Sequence, residues 1–306
     1  MKKGERKLIW LFVAPLVIVF MLLYLYPAIK TVAMSFYYIR SLTVEESSWE
    51  FVGVDNYLGV LKSPLFWVAI KNMLKIIFIG GVFHVVISLV FATILKKGIR
   101  LGGLWKSIVY LPCVVSPVAM VIAWTQYVYN NRFGLLKNVF EFLGMETMAA
   151  FEWTSPTNSF TALLIAFTFG GIGGSMVMII AAMEKIPQDL YHCAHLEGAS
   201  DLQVLFKITM PLMKDVMKTV VTFWCIGGVN FFLWAQIFSI APNDPATVVP
   251  ATYMYNMIFG SGIQGGQIES SLNVGSGTVV GIIMCVLTVI IFGVINLAFG
   301  KETYEY

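Results

Sequence analysis

Long apolar runs recur along the whole of this 306-residue chain, and they constrain its fold more than any other feature. Hydrophobic residues make up 58% of the chain and charged residues only 12%. A soluble domain carries about 25% charged residues, so this chain has about half the charge that solubility requires. Because a helix crosses a bilayer with about 20 apolar residues, the composition predicts an all-α integral membrane protein.

We predict about six transmembrane helices from these runs. They cover residues 8–36, 68–95, 104–128, 160–183, 216–240 and 278–300. The first run follows a basic N-terminus, as a signal peptide does. Its apolar stretch is longer than the roughly 7–15 residues of a signal-peptide core, and further runs follow it. We therefore expect it to stay in the protein as the first helix.

Lysine and arginine are distributed unevenly among the predicted loops. One side of the membrane holds most of them, whereas the segment from Ala241 to Thr278 on the other side has none. Cytoplasmic loops carry the positive excess, so we expect both termini and the loop at 184–218 to lie in the cytoplasm. The basic residues of that side are Lys2, Lys3, Arg6, Lys7, Lys96, Lys97, Arg100, Lys106, Lys185, Lys207, Lys214, Lys218 and Lys301.

Three segments on the opposite side are too polar to span a bilayer. Residues 41–66 predict an outer loop with a short surface helix, and residues 129–159 contain apolar residues at helical spacing, which predicts an amphipathic helix. That helix covers either its own protein or the membrane, or it docks a partner. Residues 241–277 indicate an outer helix or a partial re-entry, followed by a glycine-rich approach to the last run.

The loop MEKIPQDLYHCAHLEGASDLQVLFKITMPLM, which starts at Met183, predicts two short helices with a sharp elbow. Pro187 suits the first turn of a helix, where its missing N–H costs nothing. Gly198 can adopt the left-handed conformation that ends a helix. Ser200 and Gln203 then form a capping-box pattern, which starts a second helix at once. We expect Pro211 to stop that helix, or to join it at an angle to the fifth run.

A metal site is the competing interpretation of this loop. His192 and His195 share a helix face, and Cys193 and Glu197 are their neighbours. Cys193 points away from that face, however, and zinc sites have paired ligands at both ends of a loop. We therefore predict no metal here and favour a helix surface that faces either solvent or a partner.

The same residues resemble the EAA loop of ABC-importer permeases. Tyr191-x-x-Ala194-x-x-x-Gly198-Ala199-Ser200, followed by Ile208-x-Met210-Pro211, is similar to that family's E-A-A-x-x-x-G motif and its downstream I-x-L-P. LFVAPLVIVFMLLYLYPAIKTVAMSF, FVGVDNY and YLPCVVSPVAMVIAW look like the early region of its sugar-type members, which include the maltose, lactose and glycerol-phosphate subunits. The resemblance covers almost the whole chain.

The resemblance implies a type I ABC-importer permease fold, with residues 1–306 as one transmembrane permease domain and residues 184–213 as its cytoplasmic, ATPase-coupling loop. His192 stands where the family has Glu, Cys193 where it has Ala, and Met210 where it has Leu. These departures leave the residues of the elbow unchanged. The coupling residues that the resemblance implies are Tyr191, His192, Ala194, His195, Glu197, Gly198, Ala199, Ser200, Ile208 and Pro211.

The resemblance also implies a function and a set of partners. The chain would carry a carbohydrate into the cytoplasm by alternating access, as a multi-pass protein of the bacterial cell membrane. Its partners would be a second permease subunit, a cytoplasmic ABC ATPase dimer, an extracytoplasmic solute-binding protein and membrane lipid, with no nucleic acid. We expect no cofactor on this chain, because the partner ATPase would use ATP and Mg.

The motifs that the chain lacks agree with a transport subunit that is not itself an enzyme. The sequence contains no G-x-x-x-x-G-K-[ST] phosphate-binding loop, and H-E-x-x-H and G-x-S-x-G are absent too. Two other classes stay open. A self-sufficient secondary transporter or channel would need acids buried in the runs, which hold almost none. A membrane-embedded enzyme would need a cluster around His84, which stands alone in its run.

Polar and aromatic residues inside the runs are candidates for a substrate pathway, because polar groups in lipid are costly. For each residue by itself, hydrogen bonding between helices or simple packing is the better interpretation. The glycine run at 170–174 has the same two interpretations, tight packing or an unwound segment that lines a pathway. The pathway candidates are His84, Gln126, Asn230, Phe231, Trp234 and Gln236.

Overall fold

Helices account for almost all of the regular structure in the computed structural model, which describes residues 3–239, 241–260 and 273–300. An apolar run in lipid has to form a helix, since only a helix satisfies all of its backbone groups within one segment. The α-helices are α1 (Lys3–Phe20), α2 (Tyr26–Met34), α3 (Asp55–Lys62), α4 (Pro64–Lys75), α5 (Gly81–Lys96), α6 (Gly102–Val114), α7 (Pro117–Ala123), α8 (Leu135–Phe142), α9 (Glu146–Ala149), α10 (Ser159–Lys185), α11 (Gln188–Leu196), α12 (Asp201–Val204), α13 (Met210–Leu212), α14 (Lys214–Val229), α15 (Leu233–Phe238), α16 (Pro250–Phe259) and α17 (Val274–Phe299).

Short segments of other geometry interrupt or join these helices. A π-helical turn, which has one extra residue per turn, is a local widening of a helix and is frequent at functional sites. The π-helical turns are Met21–Leu25, Ile76–Gly80, Trp124–Val128 and Leu205–Thr209, and a 3₁₀ turn covers Glu46–Ser48. The two short strands are β1 (Tyr37–Tyr38) and β2 (Glu50–Phe51).

Four of the predicted spans appear as continuous helical stretches. Among the described residues, Trp10–Met34, Pro64–Lys96, Ser159–Lys185 and Val274–Phe299 are long and apolar enough to cross a membrane. They correspond to the first, second, fourth and sixth predicted runs, with ends that differ by a few residues. For these runs the prediction of helices that are long and apolar enough to cross a membrane is therefore confirmed.

The predicted span over residues 104–128 is helical but sharply bent. α6 and the helical stretch Pro117–Val128 meet at an angle of 102°. A proline disfavours the helical conformation of the residue before it, and Ser116 accordingly has an extended backbone with ψ 134° ahead of Pro117. The bent pair adds a fifth span to the described residues only if both halves cross the membrane together.

The fifth predicted run, residues 216–240, is also interrupted. α14 ends at Val229 and α15 begins at Leu233, so neither helix is as long as a straight span. The side chain of Asn230 donates a hydrogen bond to the Ile226 carbonyl at 3.1 Å. Such a local side-chain bond competes with helix propagation. The end of this run at residue 240 lies outside the described residues, and the count of six spans stays a prediction.

The described residues form two compact units. The first contains the described residues up to Phe66 together with those of Tyr253–Ile283. In it β1 pairs with β2 in antiparallel register, Tyr37 opposite Phe51 and Tyr38 opposite Glu50. The predicted surface helix of the outer loop is α3, whereas sequence patterns gave no indication of the hairpin before it. Residues 261–272, part of the predicted glycine-rich approach, lie outside the described residues.

A buried asparagine ties the first unit together. Nδ2 of Asn56 donates hydrogen bonds to the carbonyls of Ser35 at 2.9 Å and Tyr37 at 2.8 Å. Its Oδ1 accepts from Nδ2 of Asn273 at 2.8 Å and from Oγ of Ser276 at 3.2 Å. Asn56 therefore joins the segment after α2 to the beginning of α17, and it uses its whole capacity for hydrogen bonding to do so.

The second unit contains residues 67–252 and the described residues from Met284 onward. Its centre is the packing of α5 against α10, where Oγ of Ser88 donates to the Ile172 carbonyl at 3.3 Å. α6 crosses α10 so closely that a Cβ added at Gly173 would lie 2.4 Å from the Val109 carbonyl oxygen. Small residues permit such close approach of helices in lipid. At Gly173 the glycine run therefore serves packing.

We predict that Asn56→Ala lowers the free energy of unfolding by about 1–3 kcal/mol for each buried group left without a partner. The measurement is the thermal unfolding midpoint of the detergent-solubilised protein, followed by intrinsic fluorescence. Asn138→Ala is the matched control, because Asn138 is exposed. Equal midpoints for the two variants would contradict the role assigned to Asn56.

Candidate functional site

The loop between α10 and α14, residues 184–213, forms two short helices joined by a sharp elbow, and we call it the elbow loop. α11 runs from Gln188 to Leu196, and Pro187 precedes it as the N-cap rather than occupying its first turn. The second helix begins with α12 at Asp201. The predicted pair of helices is therefore present.

Backbone hydrogen bonds fix the elbow. Gly198 has a φ of +78°, in the left-handed region that favours glycine. The amide of Gly198 donates to the His195 carbonyl, and the amide of Ala199 donates to the Ala194 carbonyl, each at 3.0 Å. This pair of bonds is a Schellman motif, which satisfies carbonyls at the end of a helix. The predicted helix stop at Gly198 is thus formed in the structure.

The second helix starts with the predicted capping box. Oγ of Ser200 accepts from the Gln203 amide at 3.4 Å, and Oε1 of Gln203 accepts from the Ser200 amide at 2.8 Å. Because only Gly198 and Ala199 separate the C-cap Glu197 from the N-cap Ser200, the chain at the elbow has little freedom to change direction. The elbow loop is therefore locally stiff.

Of the two expectations for Pro211, the one in which it stops the second helix is wrong, and the other holds, because the helix joins α14 of the fifth run through a turn in the backbone. The backbone stays helical through the π-helical turn Leu205–Thr209 and α13, and it turns at Met213 with φ −99° and ψ 20°. A proline ring clashes with the carbonyl four residues earlier in a regular helix. The π-helical turn directly before Pro211 alters that spacing, which explains why the helix continues past it.

Most of the outer surface of the elbow loop is exposed. Of the predicted coupling residues, His192, His195, Glu197, Gly198, Ser200 and Pro211 are exposed, whereas Tyr191, Ala194, Ala199 and Ile208 are half-buried. Leu196 is 87% exposed, and Leu202 and Phe206 are exposed as well. Apolar side chains grouped on a projecting loop mark an interaction surface. No group of three or more His, Cys, Asp and Glu side chains within the described ranges could hold a metal ion.

Two lysines at the end of α5 hold the inner side of the elbow loop. Lys96 donates hydrogen bonds to the carbonyl of Met183 and to Oη of Tyr191, the latter at 3.2 Å. Nζ of Lys97 lies 2.5 Å from a carboxylate oxygen of Asp201, and this hydrogen bond lowers the pKa of Asp201 below its usual value. Sequence reasoning counted both lysines only as positive charges, because their partners lie far away along the chain.

A cavity of about 460 Å³ separates the elbow loop from α5. Lys96, Lys97, Tyr191, His195 and Asp201 line it, and Val204 and Thr209 are among its other walls. The loop is therefore not packed solidly against α5. Across the cavity the loop contacts α5 through a few polar groups, and its Leu205, Met210 and Met213 belong to the same hydrophobic cluster as Leu89 and Ala92 of α5.

Three of the predicted pathway residues, His84, Phe231 and Trp234, belong to an aromatic cluster instead of an open surface. His84 stacks on Trp224 with ring centroids 4.3 Å apart. Phe167 contacts Phe231 at 4.6 Å and Trp234 at 5.6 Å. All of these residues except Phe167 are buried, so packing is the better interpretation for these three candidates.

Two polar groups of the aromatic cluster find partners inside the protein, whereas Nδ1 of His84 is buried without one. Nε2 of His84 and Oγ of Ser175 lie 2.8 Å apart. Nε1 of Trp224 donates to the carbonyls of Ile76 and Ile77 at 3.2 Å each, at the start of a π-helical turn. Sequence reasoning missed Trp224 and Ser175, since their roles depend on distant segments.

The other three pathway candidates are more accessible. Gln126 and Asn230 are exposed, and Gln236 is half-buried. Gln126 lies in the π-helical turn Trp124–Val128, and Asn230 lies in the interruption between α14 and α15. Polar side chains therefore remain accessible at two places where the helices depart from regular geometry.

We predict that Phe231→Ala destabilises the protein by about 3–5 kcal/mol, as deletion of a buried aromatic ring does. Phe223→Ala is the matched control, because Phe223 lies on α14 and is 63% exposed. Unfolding in mixed detergent micelles would measure both. Should Phe231→Ala keep full stability and change only the apparent affinity for substrate, Phe231 would face the pathway and not the core.

Comparison with known proteins places this architecture in a family. Residues 84–301 match the family described as binding-protein-dependent transport system inner membrane component. The lactose transport system permease protein LacF of Rhizobium radiobacter is 26% identical over 253 residues, covering 82% of this chain and 83% of that protein. The trehalose/maltose transport system permease protein MalF of Thermococcus litoralis is 28% identical over 233 residues, covering 76% and 77%.

A solved structure has the same fold. It is the crystal structure of a bacterial ABC transporter involved in the import of the acidic polysaccharide alginate, with a TM-score of 0.76 and 20% identity over 97% of this chain and 96% of that one. The family match covers more than two thirds of the sequence. The chain is therefore a member of the family of inner membrane components of binding-protein-dependent transport systems.

Proposed function

We propose that this chain is the permease subunit of an ABC importer that moves a carbohydrate into the bacterial cytoplasm by alternating access. The names of its relatives support the substrate class, since they include permeases for lactose, for trehalose and maltose, and for arabinooligosaccharides. The structure with the same fold belongs to an importer of alginate, which is also a carbohydrate.

The observation that carries the proposal is the geometry of the elbow loop. Its elbow is fixed by the left-handed Gly198 and the Ser200 cap, and its outer surface is exposed and partly apolar. A stiff, projecting pair of helices suits a groove on another protein. A separate ATPase would supply that groove, which makes residues 184–213 the coupling loop of a single permease domain.

The proposed assembly contains several further components. They are a second permease subunit, a cytoplasmic ABC ATPase dimer that binds ATP and Mg, and a solute-binding protein outside the membrane. The alginate transporter was solved in complex with an alginate pentasaccharide-bound periplasmic protein, which supports the last of these. In this assembly the chain has six spans, its termini and the elbow loop lie in the cytoplasm, and it binds no cofactor of its own.

Transport follows from movement of the elbow loop. Closure of the ATPases on ATP pushes the loop, and the spans open toward the outside to receive sugar from the docked binding protein. A stiff loop transmits such a push without deforming. Hydrolysis and release of phosphate let the spans return to the inward-open state, which delivers the sugar to the cytoplasm.

We place the sugar against Gln126 and Asn230, whose amides can both donate and accept hydrogen bonds to hydroxyl groups. Both are exposed, and both lie where helical geometry is interrupted. Gln236 is the third candidate. The aromatic cluster of His84, Phe231 and Trp234 belongs to the packed interior in this proposal, and the second permease completes the pathway.

The elbow can be tested with two substitutions at one position. Gly198→Val should abolish ATP-dependent uptake and weaken retention of the ATPase, because a β-branched residue strongly disfavours a φ of +78°. Gly198→Asn should keep most of both activities, since asparagine tolerates the left-handed region. Co-purification of the ATPase and ATP-driven uptake into proteoliposomes would measure the difference.

Gly103→Val is the matched control for this test. Gly103 is exposed, and a Cβ added there would meet open space. The Gly103→Val variant should leave co-purification of the ATPase and ATP-driven uptake close to normal. If no ATPase accompanies the unchanged, well-folded chain, the proposed function is wrong, and a self-sufficient transporter becomes the better interpretation.

The substrate class can be tested in cells. Deletion of this chain should abolish binding-protein-dependent uptake of at least one sugar in a panel of radiolabelled lactose, maltose, trehalose and arabinooligosaccharides. Re-expression of the unchanged chain should restore it, whereas Gly198→Val should not. Normal uptake of every tested carbohydrate, combined with loss of uptake of an amino acid or a peptide, would refute the carbohydrate assignment.

A further inference from the structure

The end of α10 has a backbone hydrogen-bond acceptor that its own helix cannot satisfy. In a regular helix the carbonyl of Met183 would accept from the amide of residue 187. Residue 187 is Pro187, which has no N–H. Met183 is itself buried. Its carbonyl therefore needs a donor from elsewhere in the protein.

Lys96 of α5 supplies that donor. Its ammonium donates to the Met183 carbonyl and to Oη of Tyr191, and it lies 4.5 Å from the centroid of the Tyr191 ring. Oγ1 of Thr209 contacts the same Tyr191 oxygen at 3.5 Å. Lys96 thus contacts the end of α10 and the first helix of the elbow loop directly. Through Tyr191 it is also connected to the π-helical turn in the second helix of the loop.

A simpler explanation of Lys96 is that it is one of several basic residues at a helix end. Cations are favourable in the last turn of a helix, and cytoplasmic loops are rich in them. That explanation accounts for a positive charge at this position but not for the direction in which the Lys96 side chain points. Lys96 is half-buried and points across the cavity to a carbonyl of another helix, whereas the side chain of Lys97 is 58% exposed.

We infer that Lys96 and Tyr191 are positioning residues that carry movement of the elbow loop to α5. The inference rests on the proposed function, because it requires a partner that moves the loop. Since a cavity separates the loop from α5, these contacts and the Lys97–Asp201 pair are the polar ties between them that the described residues show. α5 also holds His84 against Trp224, so a displaced α5 shifts the aromatic cluster.

Hydrogen–deuterium exchange tests the inference on the complex of this chain with its co-purifying ATPase. Exchange is compared without nucleotide and after trapping with Mg-ATP and vanadate. In the unchanged chain, trapping should alter exchange in the elbow loop and at the C-terminal end of α5. In Lys96→Met the loop should still respond, and the response of α5 should fall at least about 5-fold, as expected from the loss of a coupling free energy.

Three further variants distinguish a positioning role of Lys96 and Tyr191 from a general effect on the stability of the protein. Lys96→Arg keeps a cationic donor and should restore the larger part of the α5 response, and Tyr191→Phe should lower that response as Lys96→Met does. Lys106→Met removes a lysine of α6 and should change neither response. A full α5 response in Lys96→Met, or equal loss of both responses, would overturn the inference. Absence of a loop response in the unchanged complex would refute the proposed function as well.

Discussion

Backbone groups that leave a helix inside or beside a bilayer must find partners within the protein, because lipid offers none. The rest of this structure depends on how that requirement is met at each interruption. Nε1 of Trp224 reaches the carbonyls at the π-helical turn Ile76–Gly80. The side chain of Asn230 bonds within the last turn of α14, and Lys96 replaces the N–H that Pro187 lacks. Each of these three places is thus tied to a particular side chain.

These ties also decide which helices contact each other. Trp224 can reach the π-helical turn because the glycines there leave room, and a Cβ on Gly80 or Gly81 would lie within 3 Å of its ring. Gly171 leaves similar room for His84, which stacks on Trp224. Small residues and large aromatic residues are therefore complementary parts of one packing arrangement that joins α5, α10 and α14.

Much of the local structure could be predicted from the sequence. The stop at Gly198 and the cap at Ser200 depend on residues within one turn of each other, so their pattern is visible in the sequence. Four continuous spans follow from apolar length alone. The bend at Ser116 and the interruption at Asn230 were missed, although Pro117 and Asn230 were visible, because runs of this apolarity suggest one unbroken helix.

The site was harder to predict for the same physical reason. The roles of Lys96, Trp224 and Ser175 arise from partners on other helices, and a single sequence does not show which helices meet. Polarity in an apolar run identified six pathway candidates, but it could not separate those in a core from those on a surface. The structure separates them: Phe231 is buried, whereas Gln126 and Asn230 are exposed.

Under the proposed function, the elbow loop has to be stiff within itself and able to move relative to α5. Its two helices are joined through a Schellman motif and a capping box with little chain between them. A cavity lies between part of the loop and α5, and the exposed Lys97–Asp201 pair contributes little stability. Leu205, Met210 and Met213 of the loop belong to the same hydrophobic cluster as Leu89 and Ala92 of α5. The proposal therefore assigns stiffness to the elbow itself, and it assigns the direction of the proposed movement to the few polar contacts that cross the cavity.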